Sequence, residues 1–192
     1  MEHKIQAIET EYNGYRFRSR LEARWAVFFD AIGAKYIYEP QGYIFEDGTC
    51  YLPDFYLENV SGRGARNIFV EIKGVLDNVD LRKVEMFSLN KQIIIFGQIP
   101  VVDGSGYLDF RKDGDDNIYN LAYSEGDYYW AEPKASIHGG LVLDYPDNPY
   151  SYVDDSLTKT AYSIARQARF EHGKTPTAKQ VYEAAHSGGI LK

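Results

Sequence analysis

Residues 51–74 read YLPDFYLENVSGRGARNIFVEIKG. Asp54 lies inside the first apolar run, Glu71 and Lys73 inside the second, and the Gly-rich residues 61–64 separate the two. An antiparallel hairpin centred on those residues sets Asp54 opposite Glu71, Phe55 opposite Val70 and Leu57 opposite Ile68. The apolar residues then share one face and Asp54, Glu71 and Lys73 share the other. Directly opposed carboxylates repel and weaken a sheet, so this pattern calls for compensating charge. One source is a hard divalent cation, which takes carboxylate oxygens and keeps several waters for a substrate phosphate. Lys73 is then placed to orient or deprotonate a water on that ion, or to hold the phosphate, which is the equipment of phosphodiester hydrolysis. The other source is ordinary salt bridging of Asp54 and Glu71 to Lys73, Arg63 or Arg66.

Those residues need a scaffold, and the flanking sequence supplies one. Residues 18–32 (RSRLEARWAVFFDAI) repeat Leu21, Trp25, Phe28, Phe29 and Ile32 along one helical face, and Gly33 follows as a stop. KYIYEPQGYIF and CYLPDFYL read as a strand pair around a Glu-Asp-Gly turn, and NIFVEIKG as the next strand. DNVDLRKVEMFSLN predicts a helix capped by Asp77 or Asn78, with Leu81, Val84 and Leu89 in its apolar stripe. KQIIIFGQIP is a short, continuously apolar strand of the kind buried on both faces. The order over residues 18–100 is α-β-β-β-α-β, an α/β core whose last strand is reached through a helical crossover. Residues 101–155, Tyr-rich and punctuated by Gly, predict short antiparallel strands or long ordered loops. The C-terminal stretch predicts two helices. The first carries Leu157, Ala161, Ile164, Ala165 and Ala168 and ends at Gly173; the second is capped by Thr175-Pro176 and ends at Gly188-Gly189.

A chain of 192 residues with 44% hydrophobic content is long enough for one domain with a substantial core, or for one domain plus a small appendage. Its single cysteine, Cys50, excludes an internal disulfide framework and a cysteine-based zinc cluster, and fits a reducing compartment. The start lacks the apolar run of a signal peptide and no segment reaches membrane-spanning length, so a soluble, cytoplasmic protein with no membrane partner is expected. The net charge of -7 argues against coating a nucleic acid by bulk electrostatics. That charge is uneven: residues 1–100 carry -2, residues 101–158 carry -9 and residues 159–192 carry +4, so a local polyanion site stays open.

Pro53-Asp54, then Glu71-Ile72-Lys73 on the next strand, after a helix carrying Glu22, resembles the PD-(D/E)xK nuclease superfamily. FRSRLEARWAVFFDAIG, YLPDFYL and VEIKG together resemble small phage-borne or mobile-element proteins, and are similar to the endonuclease subunit of Tn7-like transposases. The resemblance covers about residues 14–100, with a weaker echo in ARQARFEHG. It implies a restriction-endonuclease-like core at 14–100, to which the residues themselves add a β-rich extension at 101–155 and a basic helical tail at 156–192 packed on that core. It also implies that Asp54 and Glu71 bind Mg²⁺ (or Mn²⁺), that the Ile72 carbonyl adds a ligand, and that Lys73 is the catalytic lysine. Glu22 would stand at the edge of the site, holding a second metal or a water. Glu22 also completes a Ser-x-x-Glu capping box with Ser19, in which it merely satisfies the helix N-terminus.

Candidate substrate contacts surround this set. Arg16, Arg18, Arg20 and Arg24 cluster at the start of the first helix, spread over more than one face, and Arg63 and Arg66 sit at the hairpin tip. Lys159, Arg166, Arg169 and Lys174 make the tail basic, but TAKQVYEAAHSGG offers little for base reading in a helix-turn-helix. YSEGDYYWAEP offers base-stacking rings in an acidic setting better suited to a protein interface. DGDDN lacks the glycine and closing glutamate of a calcium loop, and the four histidines fall at no metal-ligand spacing. The sequence therefore predicts a Mg²⁺-dependent deoxyribonuclease acting on DNA, with a protein partner possible through the acidic region and dimerisation left open. Its rival is a catalytically inactive nuclease-fold module that binds DNA or a protein in phage or mobile-element biology. An RNA or branched-DNA nuclease would share the same site.

Overall fold

The structure is a computed structural model that describes residues 7–62, 66–74, 80–102, 108–109, 121–124, 127–145, 152–171, 174–188 and 191. The chain is mixed α/β. A two-stranded ribbon, β1 (Thr10–Tyr12) and β2 (Tyr15–Phe17), leads into α1 (Arg20–Ala31) and β3 (Lys35–Tyr38). Next come β4 (Tyr43–Ile44), β5 (Cys50–Tyr51), β6 (Phe55–Glu58), β7 (Ile68–Ile72), α2 (Leu81–Ser88) and β8 (Ile93–Phe96). The remaining strands are β9 (Val101–Val102), β10 (Leu108–Asp109), β11 (Leu121–Ser124), β12 (Asp127–Trp130), β13 (Glu132–Ala135) and β14 (Leu141–Asp144). Two helices follow, α3 (Asp155–Gln167) and α4 (Ala178–His186).

The central sheet has six strands in the order β12-β11-β8-β7-β6-β3. β7 and β8 run parallel, joined through α2, and the other neighbours are antiparallel. Alternation along the strands sends side chains to two separate cores. On one face Phe55, Leu57, Ile68, Val70, Ile94 and Phe96 pack beneath α1. Trp25 stacks on Phe96 with ring centroids 4.5 Å apart, and Phe28 stacks on Tyr162 of α3 at 4.2 Å, so α1 is sandwiched between the sheet and the C-terminal helices. On the other face Tyr51, Phe69, Ile93 and Ile95 meet Val84 and Phe87 of α2. The all-apolar β8 is buried by both cores, as its unbroken Ile-Ile-Ile-Phe run requires.

Helix α1 follows its apolar period. Ser19 caps it by accepting the Glu22 N–H, and Gly33 takes the left-handed φ of +70° that closes it. Several boundaries differ from the sequence reading. α2 begins at Leu81 with Asp80 as cap; Asp77 and Asn78 lie outside the described residues. Val84 is buried as the stripe requires, together with Phe87 and Ser88, but Leu81 and Leu89 are exposed, since one is the first residue of the helix and the other its C-cap. α3 ends at Gln167 rather than at Gly173, with Ala168 extended. α4 starts after Thr177, whose capping box with Gln180 outcompetes the Thr175-Pro176 pair. The strand pair around Glu46-Asp47-Gly48 exists only as the small β4–β5 hairpin; in the central sheet β3 pairs with β6.

Candidate active site

The β6–β7 register pairs Phe55 with Val70 and Leu57 with Ile68, as the turn and the apolar pattern dictate. One rung further the backbone ladder stops. The Asp54 carboxylate takes over, accepting the Ile72 N–H on Oδ2 at 2.7 Å, while the Asp54 carbonyl accepts the Glu39 N–H at 2.8 Å. Glu71 projects to the α2 side, where its Oε2 accepts from the Tyr51 hydroxyl at 2.8 Å and its Oε1 pairs with Lys73 Nζ at 2.6 Å. Both acids are inside the protein, with Asp54 1% and Glu71 7% exposed.

A buried carboxylate needs a partner, and the partner of Asp54 comes from far away in sequence. Arg18, just before α1, places Nη2 2.5 Å from Asp54 Oδ1 and Nε 2.8 Å from Glu39 Oε1. Glu39 holds a left-handed φ of +45°, a conformation costing about 1 kcal/mol or more for a residue with a Cβ, and its backbone bond to Asp54 and ion pair to Arg18 hold it there. Burial, then the Glu71 carboxylate, push the Asp54 pKa up to about 7; Glu22 adds to the rise, and Lys73 and the Ile72 N–H oppose it. For Lys73 burial pulls downward, but the Glu71 and Asp54 carboxylates outweigh it and hold the ammonium above its ordinary range.

Glu22 is buried and close enough to be felt by Asp54, yet its oxygens are engaged. Oε2 accepts from the Tyr38 hydroxyl at 2.6 Å and the Arg18 N–H at 3.1 Å, and Oε1 accepts from Ser19 Oγ at 2.7 Å. It closes the helix start one residue earlier than a standard capping box, and so anchors the segment that carries Arg18.

The other predicted contacts scatter. Arg16 pairs with Glu9, and Arg20 with Glu171 beyond α3, which ties the tail to the start of α1. Arg166 donates to the Ile99 carbonyl at 2.9 Å, and Arg169 is exposed. Arg24 is half-buried with its Nε unpartnered; burial, then Arg166 and Arg20, hold its pKa below the ordinary value. Arg66 is exposed at the opposite end of β7 from Lys73, and Arg63 lies outside the described residues; among the described residues the compensating charge comes from Arg18 and Lys73. Sequence reasoning missed Tyr38, Glu39 and Tyr51 and did not see that Arg18 reaches Asp54. Only the aromatic spacing of β3 and β5 hinted at the two tyrosines.

As to a cation, the carboxylate oxygens of Asp54 and Glu71 are of the hard type that Mg²⁺ or Mn²⁺ takes, and each of them accepts here from the Ile72 N–H, Arg18, Tyr51 or Lys73. Among the described residues no group of three His, Cys, Asp or Glu side chains is arranged as a metal cage, so a cation bound by protein ligands alone does not fit. Also among the described residues, no helix is long and apolar enough to cross a membrane. Compared with protein-family models, curated proteins and solved structures, the chain matches none.

Proposed function

We propose that the chain is a metal-dependent endonuclease of the PD-(D/E)xK type, hydrolysing DNA phosphodiester bonds with Asp54, Glu71 and Lys73 on a restriction-endonuclease-like core. The observation that carries this reading is the meeting of two buried carboxylates from adjoining strands at the end of β7, with Lys73 on one and Arg18 on the other. Asp54, Glu71 and the Ile72 carbonyl are the residues that would hold Mg²⁺ or Mn²⁺. When bound, the cation supplies positive charge to the phosphoryl oxygen and acidifies water. Lys73 donates its ammonium N–H groups to a phosphoryl oxygen or to the attacking water, while Tyr51 fixes the Glu71 carboxylate. Arg18, about half exposed, turns its outer edge to solvent, where it can hold a backbone phosphate. Glu22 positions Arg18 through the helix start.

One observation favours a second reading. Arg18 and Lys73 already neutralise the acid pair, so the cluster can stand without a cation, as a binding module on the same fold would require. A cleavage panel of supercoiled, linear, single-stranded and branched DNA and of RNA, with Mg²⁺, Mn²⁺ or EDTA, separates the two. Cutting that needs the metal and disappears in Asp54→Ala, Glu71→Ala and Lys73→Ala supports the hydrolase. Folded wild type that binds but cuts nothing favours the module.

A further inference from the structure

A groove of about 740 Å³ lies on the α2 side of the sheet at the end of β7 remote from Lys73. Its walls come from the β4 start, the edge strand β3, the middle of β6, the beginning of β7 and the turn before β8. Three rings line it: Tyr43 meets Phe69 edge to face at 5.9 Å, and Tyr56 meets Phe69 at 5.0 Å. Lys91 Nζ stands 5.5 Å from the Tyr43 ring centroid and 5.7 Å from that of Phe69, and exposed Arg66 also lines the groove. The polar lining is otherwise amide, as in Gln41 and Asn67. Among the described residues that line it there is no aspartate or glutamate, in a chain of net charge -7. Two other surface grooves both include Glu11.

Rings beside cations, amides with both donors and acceptors, and no carboxylate are what an unpaired nucleotide needs: a π-face to stack on, charge for its phosphate and partners for its base edge. We propose that this groove binds a single-stranded polynucleotide segment, with a base against the Tyr43–Tyr56–Phe69 cluster and the backbone along Lys91 and Arg66. The inference rests on the reading of the substrate as a polynucleotide. Phe69 and Glu71 share a sheet face, and the Tyr51 ring packs in the Phe69 cluster while its hydroxyl bonds Glu71. The six steps from Asn67 to Lys73 span about 20 Å along an extended strand. That is on the order of six stacked nucleotides at ~3.4 Å each, so one strand reaches both places.

The test is fluorescence anisotropy in EDTA with a labelled oligodeoxythymidylate, beside a duplex of the same length. Lys91→Glu and Tyr43→Ala should each weaken single-strand binding by about tenfold or more and duplex binding less, while Tyr43→Phe, which keeps the ring, should bind as wild type. Tyr43 also packs on Phe87, so exposed Lys91 carries the test if Tyr43→Ala does not fold. Absence of wild-type binding, or single-strand affinity unchanged in Lys91→Glu, overturns the proposal. A change of sedimentation in Lys91→Glu with binding unchanged does so too, in favour of a protein interface at the β3 edge. Cleavage is measured on the same proteins. If Lys91→Glu loses the single strand and wild type cuts nothing, the groove stands and the hydrolase reading falls. If Lys91→Glu binds and cuts as wild type, the groove alone falls.

Discussion

Among the described residues, two places set an acid against an acid across antiparallel strands, with a lysine two residues after the glutamate. At β6–β7 they are Asp54, Glu71 and Lys73; at β13–β14 they are Asp144, Glu132 and Lys134, where Glu132 and Asp144 are directly paired. In the second, one lysine answers both acids, with Lys134 Nζ 2.9 Å from Glu132 and 2.7 Å from Asp144. In the first, Lys73 takes Glu71 alone. Asp54 turns instead to the Ile72 N–H and to Arg18, and Glu22 adds a third carboxylate nearby. The middle residue marks the difference, since Pro133 has no N–H to offer and Ile72 does. A Glu-x-Lys opposite an Asp is therefore a pattern this fold produces twice. Only where Arg18 and Glu22, at the start of α1, bring further charge are the two acids answered by separate cations.

This contrast is broken most forcefully by removing each lysine. Lys73→Met should lower single-turnover cleavage by about 10²–10³-fold, the scale seen when one transition-state donor is lost, while Lys134→Met should cut at the wild-type rate under folding conditions. The stability of Lys134→Met should fall by about 1–3 kcal/mol in urea denaturation, because buried Asp144 and the partly buried Glu132 opposite it lose their shared cation. A smaller effect sharpens the role of α1. Arg24→Gln should reduce the salt dependence of DNA binding by about one phosphate contact, read as a log–log slope change near 0.9, because half-buried Arg24 adds its charge beside Arg20 and Arg166. The smallest concerns Asp30, away from both pairs, whose carboxylate accepts from Tyr12 at 2.7 Å. Burial, against the Tyr12 and Tyr36 hydrogen bonds, raises its pKa from 3.8 to about 6. The folded state then holds the proton more tightly than the unfolded one, so this contribution to stability is present below pH 3.8 and is lost as pH rises through about 6. Asp30→Asn should flatten the stability–pH curve in that window.

What could be read from the residues was local. The β6–β7 register, the α1 stripe and the crossover to β8 all follow from turn position and period, because each is decided by which side chains must leave water. The site was legible to the same extent, in Asp54, Glu71 and Lys73, since alternation alone sets their face. The cations that balance them were not. Arg18 lies 36 residues from Asp54 and arrives through the packing of α1 on the opposite face, which no periodicity encodes. Glu39 depends on a positive φ that its residue type does not announce. The second acid pair was written in Glu132-Pro133-Lys134, with Gly139 and Gly140 turning the chain back to Asp144, and an alternation analysis of residues 132–144 would have found it. Helix limits slipped where two caps competed, as at Thr175 and Thr177, because the capping box is worth more than a proline at the first turn.

The central claim is that the Asp54–Glu71 pair holds a divalent cation and the Asp144–Glu132 pair does not. Mn²⁺ titration followed by electron paramagnetic resonance, on wild type, Asp54→Asn and Asp144→Asn, tests it directly. The account predicts saturable binding by wild type that is lost in Asp54→Asn and unchanged in folded Asp144→Asn. Binding that survives in Asp54→Asn, or that is absent from wild type, contradicts it.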